Sequence, residues 1–74
     1  MNPIQLIKKL TNLYQNFKPV HRVENDILIF EIEKPEFDTQ DYLNFQLTAS
    51  NFHYAFRSVS FKENRLVIKI KSSL

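Results

Sequence analysis

The sequence predicts an α+β fold in which one N-terminal helix packs on one face of an antiparallel meander sheet of four to five strands. Three observations carry this prediction: a helical apolar stripe near the N-terminus, a proline at position 19 that ends it, and short apolar runs beyond it. A helix and a sheet that are each apolar on one side bury those sides against each other. With 74 residues the chain can form one such core, so we expect a single domain over residues 1–74.

The N-terminal helix is the most clearly specified element. Apolar residues recur at spacings of four, three and four, which places them on one helical face: Leu6, Leu10, Leu13 and Phe17. Asn2 is expected to cap this helix, and Pro3 is tolerated in its first turn. Lys18 suits the negative end of a helix and Pro19 prevents further helix, so the pattern predicts about four turns.

Two strands are predicted directly after Pro19. Residues 20–25 form a short first strand, and residues 27–33, rich in isoleucine, form a second. The pair Asn25-Asp26 is suited to a tight turn between them. Because the chain contains no glycine, turns that require a positive φ must use asparagine or aspartate.

Residues 42–49 are ambiguous. Apolar and polar residues alternate through them without interruption, which favours a strand. Asp38 could instead cap a helix with Tyr42, Phe45 and Ala49 on one face, and the element order would then be αββαββ. We favour the strand because the polar residues of this segment are poor helix formers.

The last part of the chain predicts a hairpin of residues 52–61 and 65–71 around Glu63-Asn64. A regular ladder that leaves this turn makes six pairs: Phe61–Leu66, Ser60–Val67, Val59–Ile68, Ser58–Lys69, Arg57–Ile70 and Phe56–Lys71. One face of this ladder is mainly apolar and the other mainly polar, so the register is self-consistent.

The apolar pattern changes phase within residues 52–61. Three aromatic residues share one face and two apolar residues share the other: Phe52, Tyr54 and Phe56 against Val59 and Phe61. A β-bulge at Arg57-Ser58 would return all five to the core, and we favour this explanation. A regular strand would instead expose the three aromatic residues beside Lys69 and Lys71 as an apolar binding surface.

The composition excludes most kinds of chemical site. The chain has no cysteine, which removes disulfides, thiol catalysis and cysteine-bound metals, and no glycine-rich phosphate loop is possible. His21 and His53 are the only histidines, and no spacing joins either to a catalytic or metal-binding pattern. We therefore expect a protein that is not an enzyme and has no cofactor and no metal site.

Neither a membrane-spanning segment nor a signal peptide is predicted, because no run of 18 apolar residues exists and no cleavage site follows the first helix. We therefore expect a cytoplasmic protein with no membrane partner. Phenylalanine, isoleucine, asparagine and lysine each occur seven times, a bias that AT-rich genes produce. The small size of the chain and this compositional bias are compatible with a phage- or virus-encoded protein.

Charge is distributed unevenly along the chain. The net charge is +2, but residues 24–41 are strongly acidic and the segments on both sides are basic. Glu31 and Glu33 lie on one face of the second strand, and Lys69 and Lys71 lie on one face of the last strand. If these strands are neighbours, we expect cross-strand ion pairs between the two sets.

By elimination, the leading hypothesis is a small non-catalytic protein-interaction module, such as an inhibitor, adaptor or accessory regulatory protein. It would bind a protein partner of unknown identity through its sheet face or through an edge strand, for which residues 20–25 and 65–71 are the candidates. So small a core also favours a homodimer. The candidate interaction surface comprises Phe52, Tyr54, Phe56, Arg57, Lys69 and Lys71.

The alternative hypothesis is single-stranded nucleic-acid binding through a basic and aromatic sheet face. Sheets that bind single strands combine cations for the phosphates with aromatic rings for the bases. The candidate residues are Tyr54, Phe56, Arg57, Lys62, Arg65, Lys69 and Lys71. The low net charge and the acidic central segment make this the weaker hypothesis.

Overall fold

The computed structural model describes residues 3–73, and that part of the chain has the order αββαββ. Its elements are α1 (Ile4–Leu13), β1 (Val20–Glu24), β2 (Ile27–Ile32), α2 (Thr39–Asn51), β3 (Tyr54–Lys62) and β4 (Arg65–Ser72). The strands form one antiparallel sheet in the order β1-β2-β4-β3. The core joins both helices to one face of this sheet. The predicted α+β fold, with an N-terminal helix packed on an antiparallel sheet, is confirmed.

Helix α1 is shorter than its apolar spacing predicts. It begins at Ile4, directly after Pro3, and ends at Leu13. The predicted cap, Asn2, lies outside the described residues. Leu6 and Leu10 are buried as expected, whereas Leu13 at the end of the predicted stripe is exposed.

The expected last turn of α1 is a separate 3-10 turn over Gln15–Phe17, in which the Phe17 amide donates to the Tyr14 carbonyl at 2.9 Å. Pro19 disfavours a right-handed helical conformation at the residue before it, so the helix cannot continue through Lys18. Lys18 takes a φ of 50°, in the left-handed region, and turns the chain into β1.

The segment read as a strand at residues 42–49 is helical, so the alternative order is confirmed and the strand prediction is wrong. A capping box begins α2: the Asp38 carboxylate accepts from the Asp41 amide at 2.9 Å, and the Asp41 carboxylate accepts from the Asp38 amide at 3.1 Å. Alternation would bury Leu47 with Phe45. In the helix Phe45 is fully buried and Leu47 is 59% exposed.

Strand β4 occupies the interior of the sheet, between β2 and β3, so the prediction that residues 65–71 form an edge is wrong. The simple meander is also replaced, because α2 connects β2 to β3 and the β3–β4 hairpin then places β4 next to β2. Burial explains this order: residues on both faces of β4 are buried, namely Leu66, Val67, Ile68 and Ile70. The edges are β1 and β3, and the first of these was predicted.

Tight turns are made without glycine, as the composition requires. Asn25 and Asp26 have φ of 51° and 65° between β1 and β2, and Glu63 and Asn64 have φ of 52° and 66° between β3 and β4. Two consecutive positive φ values are typical of the two-residue turn that matches the twist of a hairpin. Both predicted turn positions are confirmed. His53, after α2, has φ of 63°.

Aromatic rings fill the centre of the core. The rings of Tyr14 and Phe45 stack with centroids 4.9 Å apart, which joins α1 to α2. The ring of Phe30, on β2, meets Phe45 edge-on at 5.8 Å. Such arrangements contribute about 0.5–1.5 kcal/mol beyond the burial of area. The three rings therefore fix both helices against the same face of the sheet.

Candidate functional site on the open sheet face

The sheet face opposite the helices is not covered by any described element. The register places these residues on it: Val20, Arg22 and Glu24 of β1, Ile27, Ile29 and Glu31 of β2, Arg65, Val67, Lys69 and Lys71 of β4, and Ala55, Ser58, Ser60 and Lys62 of β3. Half of these fourteen side chains are charged. We call this surface the open face.

A β-bulge in β3 decides which side chains reach the open face. The ladder follows the predicted register from Phe61–Leu66 to Ser58–Lys69, and Arg57 is then left unpaired as the register shifts. Beyond the bulge the pairs are Phe56–Ile70, Ala55–Lys71 and Tyr54–Ser72. The predicted bulge is confirmed, but Phe61, which it was expected to bring into the core, is 53% exposed. The pairs Arg57–Ile70 and Phe56–Lys71 are wrong because the regular ladder ignored the bulge.

The candidate aromatic platform therefore does not exist on the open face. Tyr54 is buried, and Phe56 is half-buried against the core. Phe52 precedes β3, packs against the core as well, and caps the end of α2. Of the six residues of the predicted interaction surface, only three cations remain exposed away from the core: Arg57, Lys69 and Lys71.

Acidic residues on the β1–β2 half of the open face are held by two arginines. Arg22 donates to the Glu31 carboxylate at 2.6 Å, and Arg65 donates to the same carboxylate at 3.3 Å and to Glu33 at 2.7 Å. The Arg65 guanidinium also donates to the Lys18 carbonyl at 3.1 Å. Each of the glutamates Glu24, Glu31 and Glu33 is therefore in contact with an arginine.

The predicted ion pairs of Glu31 and Glu33 with Lys69 and Lys71 are wrong. Strands β2 and β4 are neighbours, as the prediction required, but their register sets Lys69 opposite Ile29 and Lys71 opposite Ile27. Val67 is the residue opposite Glu31. Glu31 and Glu33 therefore pair with Arg22 and Arg65, and Lys69 and Lys71 form no ion pair with either glutamate.

Three cations on the β3–β4 half of the open face, together with the bulge residue beside them, form what we call the basic quartet: Lys62, Lys69, Lys71 and Arg57. The bulge sets Arg57 and Ser58 together opposite Lys69, and Lys71 is two positions further along β4, whereas Lys62 lies at the far end of β3, opposite Arg65. Within residues 3–73, no carboxylate lies within 4.0 Å of any of the four. Their positive charge is therefore available to a partner.

A shallow depression of about 360 Å³ lies where the two halves of the open face meet. Four cations and two carboxylates line it, namely Arg22, Lys62, Arg65, Lys69, Glu31 and Glu63, and Val67 is its apolar residue. Val67 and its neighbour Ile29 are buried although no helix covers them. Long charged side chains cover apolar surface with their stems in this way. The depression therefore has an apolar floor and a mainly basic rim.

A second polar cluster lies inside the molecule, between the helices. Asp41 of α2 is 4% exposed, and its carboxylate accepts a hydrogen bond from the Tyr14 hydroxyl at 2.8 Å and from the Lys34 ammonium at 2.7 Å. Asn44 donates to the Tyr14 hydroxyl at 3.2 Å. The Lys34 ammonium also lies 5.9 Å from the centre of the Phe17 ring. We call Tyr14, Lys34, Asp41 and Asn44 the buried cluster.

The charge states of the buried cluster are fixed by its hydrogen bonds. Burial alone would raise the pKa of Asp41, but hydrogen bonds from Lys34, from the Asp38 amide and from Tyr14 together hold it below its usual value. The hydrogen bond to Asp41 raises the pKa of Lys34. Burial is the main cause that raises the pKa of the Tyr14 phenol. At neutral pH the cluster is an ion pair with a neutral phenol.

The buried cluster has the character of a structural clamp. Every buried side-chain nitrogen and oxygen among residues 3–73 has a hydrogen-bond partner, and the Asp41 carboxylate is bonded by Tyr14, Lys34 and the Asp38 amide. It ties α1 and the loop after β2 to the first turn of α2. No sequence pattern indicates this cluster: the spacing Asp38-x-x-Asp41 is the only local signal among its residues, and it indicates a helix cap.

The histidines do not form a chemical site with other residues. His21 lies on the edge strand β1 and His53 follows α2, both exposed. Among the described residues, no group of three or more histidine, aspartate or glutamate side chains is arranged to hold a metal ion. No helix within residues 3–73 is both long enough and apolar enough to cross a membrane.

Comparison with known proteins gave no match: no family model, no curated protein and no solved structure is significantly similar to this chain.

Proposed function

We propose that this protein is a small non-catalytic interaction module that binds an acidic protein surface through the open face. One observation carries the proposal. The glutamates on the β1–β2 half of the face are held by Arg22 and Arg65, whereas the basic quartet on the β3–β4 half has no acidic partner within residues 3–73. Unpaired cations around an apolar centre give electrostatic complementarity to an acidic surface and accelerate its association.

The apolar floor supports a protein partner. Ile29 and Val67 lie at the centre of the open face, and the charged side chains that cover them can move aside when a partner arrives. Protein interfaces commonly combine an apolar centre with a polar, charged rim. Lys62 and Lys69 provide that rim on the side of the basic quartet.

Single-stranded nucleic acid is the weaker candidate because the open face carries no aromatic side chain at any described position of the sheet. Tyr54 and Phe56, which the sequence offered as stacking residues, belong to the core. Sequence-tolerant binding of single strands depends on base stacking as well as on charge. The basic quartet alone supplies only the electrostatic part.

The experiment that tests the proposal measures affinity for two acidic polymers at low ionic strength, poly-L-glutamate and an oligothymidylate of equal charge. The face variant is Lys69→Gln/Lys71→Gln. The matched control is Lys8→Gln/Lys9→Gln, which removes the same charge from exposed positions of α1. Exposed ion pairs contribute about 0.2–1 kcal/mol each, so the face variant should bind poly-L-glutamate about two- to thirtyfold more weakly.

Preference for poly-L-glutamate, with a loss of affinity in the face variant alone, supports the proposal. Equal losses in the face variant and the control contradict it, because attraction would then depend on net charge and not on the open face. Tighter binding of the oligothymidylate also contradicts it and favours the nucleic-acid alternative.

A further inference from the structure

We infer that strand β1 is a self-association site, at which a second copy of this chain adds antiparallel to β1 and the two sheets become one. β1 is an edge strand, and all five of its residues are exposed. It is regular, with no bulge in its pairing to β2, and it contains neither proline nor lysine. Bulges, prolines and lysines ordinarily protect an edge from another strand, and the two charged residues of β1, Arg22 and Glu24, pair with each other.

The other edge is protected. Strand β3 carries the bulge at Arg57, which interrupts its outer row of backbone groups, and Lys62 lies at its end. Helix α2 also packs closely along β3. The two edges of the same sheet therefore differ, and β1 is the one that can accept a regular strand.

The hairpin geometry determines which backbone groups of β1 face outward. A two-residue turn is closed by a hydrogen-bonded pair, here Glu24–Ile27, and hydrogen-bonded pairs then alternate with non-hydrogen-bonded pairs. The amides and carbonyls of Val20, Arg22 and Glu24 are therefore directed to β2. Those of His21 and Val23 are directed away from the sheet, where a second strand can reach them.

These outward groups are self-complementary about a twofold axis at Arg22. In antiparallel pairing His21 meets Val23 of the second copy and Val23 meets His21, which makes four backbone hydrogen bonds. Arg22 meets its own copy across the axis. Each Arg22 already pairs with Glu24 and Glu31 in its own chain, so the two guanidinium groups that meet at the axis are not bare cations.

Apolar side chains lie beside this edge. Val20 and Val23 are 51% and 53% exposed, one on each face of β1. Pairing of β1 with its copy removes apolar surface from water on both faces of the joined sheet.

The first test measures mass by light scattering and sedimentation while protein concentration is raised about a hundredfold through the micromolar range. We expect the mass to rise from one chain toward two. Val23→Lys places a charge at the pairing edge and should abolish the rise. Leu47→Lys is the matched control, because Leu47 is similarly exposed but lies on α2, and this variant should behave as the wild type.

The second test measures the register. The chain contains no cysteine, so a single cysteine reports only contacts between copies. Arg22→Cys places two thiols directly opposite each other on the axis, within the range of a disulfide, and oxidised glutathione can accept the two electrons and two protons that bond formation releases. Glu24→Cys places its two thiols about four residues apart along the strands, so it should cross-link much less.

A mass that stays at one chain over the whole range overturns the inference, as does a dimer that Val23→Lys leaves intact. Equal cross-linking of Arg22→Cys and Glu24→Cys overturns the register and the twofold axis with it. A concentration-dependent dimer that Val23→Lys dissociates, together with selective cross-linking of Arg22→Cys, supports it.

Discussion

The phenol of Tyr14 donates a hydrogen bond of 2.8 Å to Asp41 Oδ1, and this bond joins α1 to α2 across 27 positions of the sequence. Asp41 also receives the Lys34 ammonium and begins α2 through its capping box. One carboxylate therefore holds three parts of the chain together. The core of a domain this small supplies about 3–5 kcal/mol of net stability, so loss of the Asp41 carboxylate should destabilise the whole fold.

We predict that Asp41→Asn lowers the free energy of unfolding by about 2–3 kcal/mol. The asparagine amide leaves the Lys34 ammonium without its counter-charge, and its NH₂ group faces a hydrogen-bond donor, the Tyr14 hydroxyl or the Lys34 ammonium. Asp38→Asn is the matched control, and because asparagine caps helices as well as aspartate it should cost less than about 0.5 kcal/mol. Urea denaturation measures both. A loss below 1 kcal/mol for Asp41→Asn would show that the clamp contributes little.

The same cluster should make stability depend on pH. The pKa of Asp41 is lowered by folding, so its contribution is complete above the unfolded value near 4 and is lost as pH falls through the lower folded value. The pKa of Tyr14 is raised, so its contribution is complete below about 10 and is lost as pH rises beyond that. The free energy of unfolding should no longer fall in this way at acid pH in Asp41→Asn, and it should fall less at alkaline pH in Tyr14→Phe than in the wild type. Profiles parallel to that of the wild type would contradict these assignments.

The helical state of residues 39–51 predicts opposite outcomes for two neighbouring apolar residues. Phe45→Ala removes a fully buried ring and should cost about 3–5 kcal/mol, enough to prevent folding. Leu47→Ala removes an exposed side chain and should change stability by less than about 0.5 kcal/mol. Thermal and urea unfolding compare the two. Similar losses would indicate the alternating burial of a strand.

The bulge at Arg57 predicts that deleting this residue is far more harmful than truncating it. A strand without the extra residue would turn Tyr54 and Phe56 onto the open face and expose them to water. The deletion should abolish cooperative unfolding, whereas Arg57→Ala should stay within about 0.5 kcal/mol of the wild type. A deletion variant of normal stability would mean that the core does not depend on the bulge.

The left-handed backbone at Lys18 predicts a stabilising substitution. The left-handed conformation of Lys18 costs a residue with a Cβ atom about 1–2 kcal/mol, and glycine removes this cost. Glycine also increases the entropy of the unfolded chain, which cancels part of the gain. Lys18→Gly should therefore raise the free energy of unfolding by about 0.5 kcal/mol. Ser60→Gly, in the extended strand β3, should lower it by about 0.5–1 kcal/mol. If both substitutions destabilised the protein equally, the conformation of Lys18 would not be the reason.

Local patterns in the sequence predicted the elements in which the spacing of apolar residues and the turn residues indicate the same structure. The stripe of α1, both hairpin turns and the bulge in β3 were found in this way. Helix α2 was misread because its apolar residues also alternate and its polar residues are poor helix formers. The capping box of Asp38 and Asp41 outweighs this alternation, because its carboxylates accept hydrogen bonds from the backbone amides that begin the helix.

Contacts between distant parts of the chain were beyond the reach of these patterns. Neither Tyr14 nor Lys34 has a local feature that connects it to Asp41. The place of β4 between β2 and β3 depends on the crossover through α2, which no local period encodes. The candidate surface changed for a different, local reason: the bulge in β3 turns its aromatic residues toward the core.

If the open face is the binding surface, titration of the labelled protein with poly-L-glutamate will shift the backbone amide resonances of that face. We expect the largest shifts in β4 and β3, at Lys62, Lys69, Lys71 and the bulge residue Arg57, and no change in α1 with Lys8 and Lys9. Shifts centred on the helices, or spread evenly over all lysines, would contradict it.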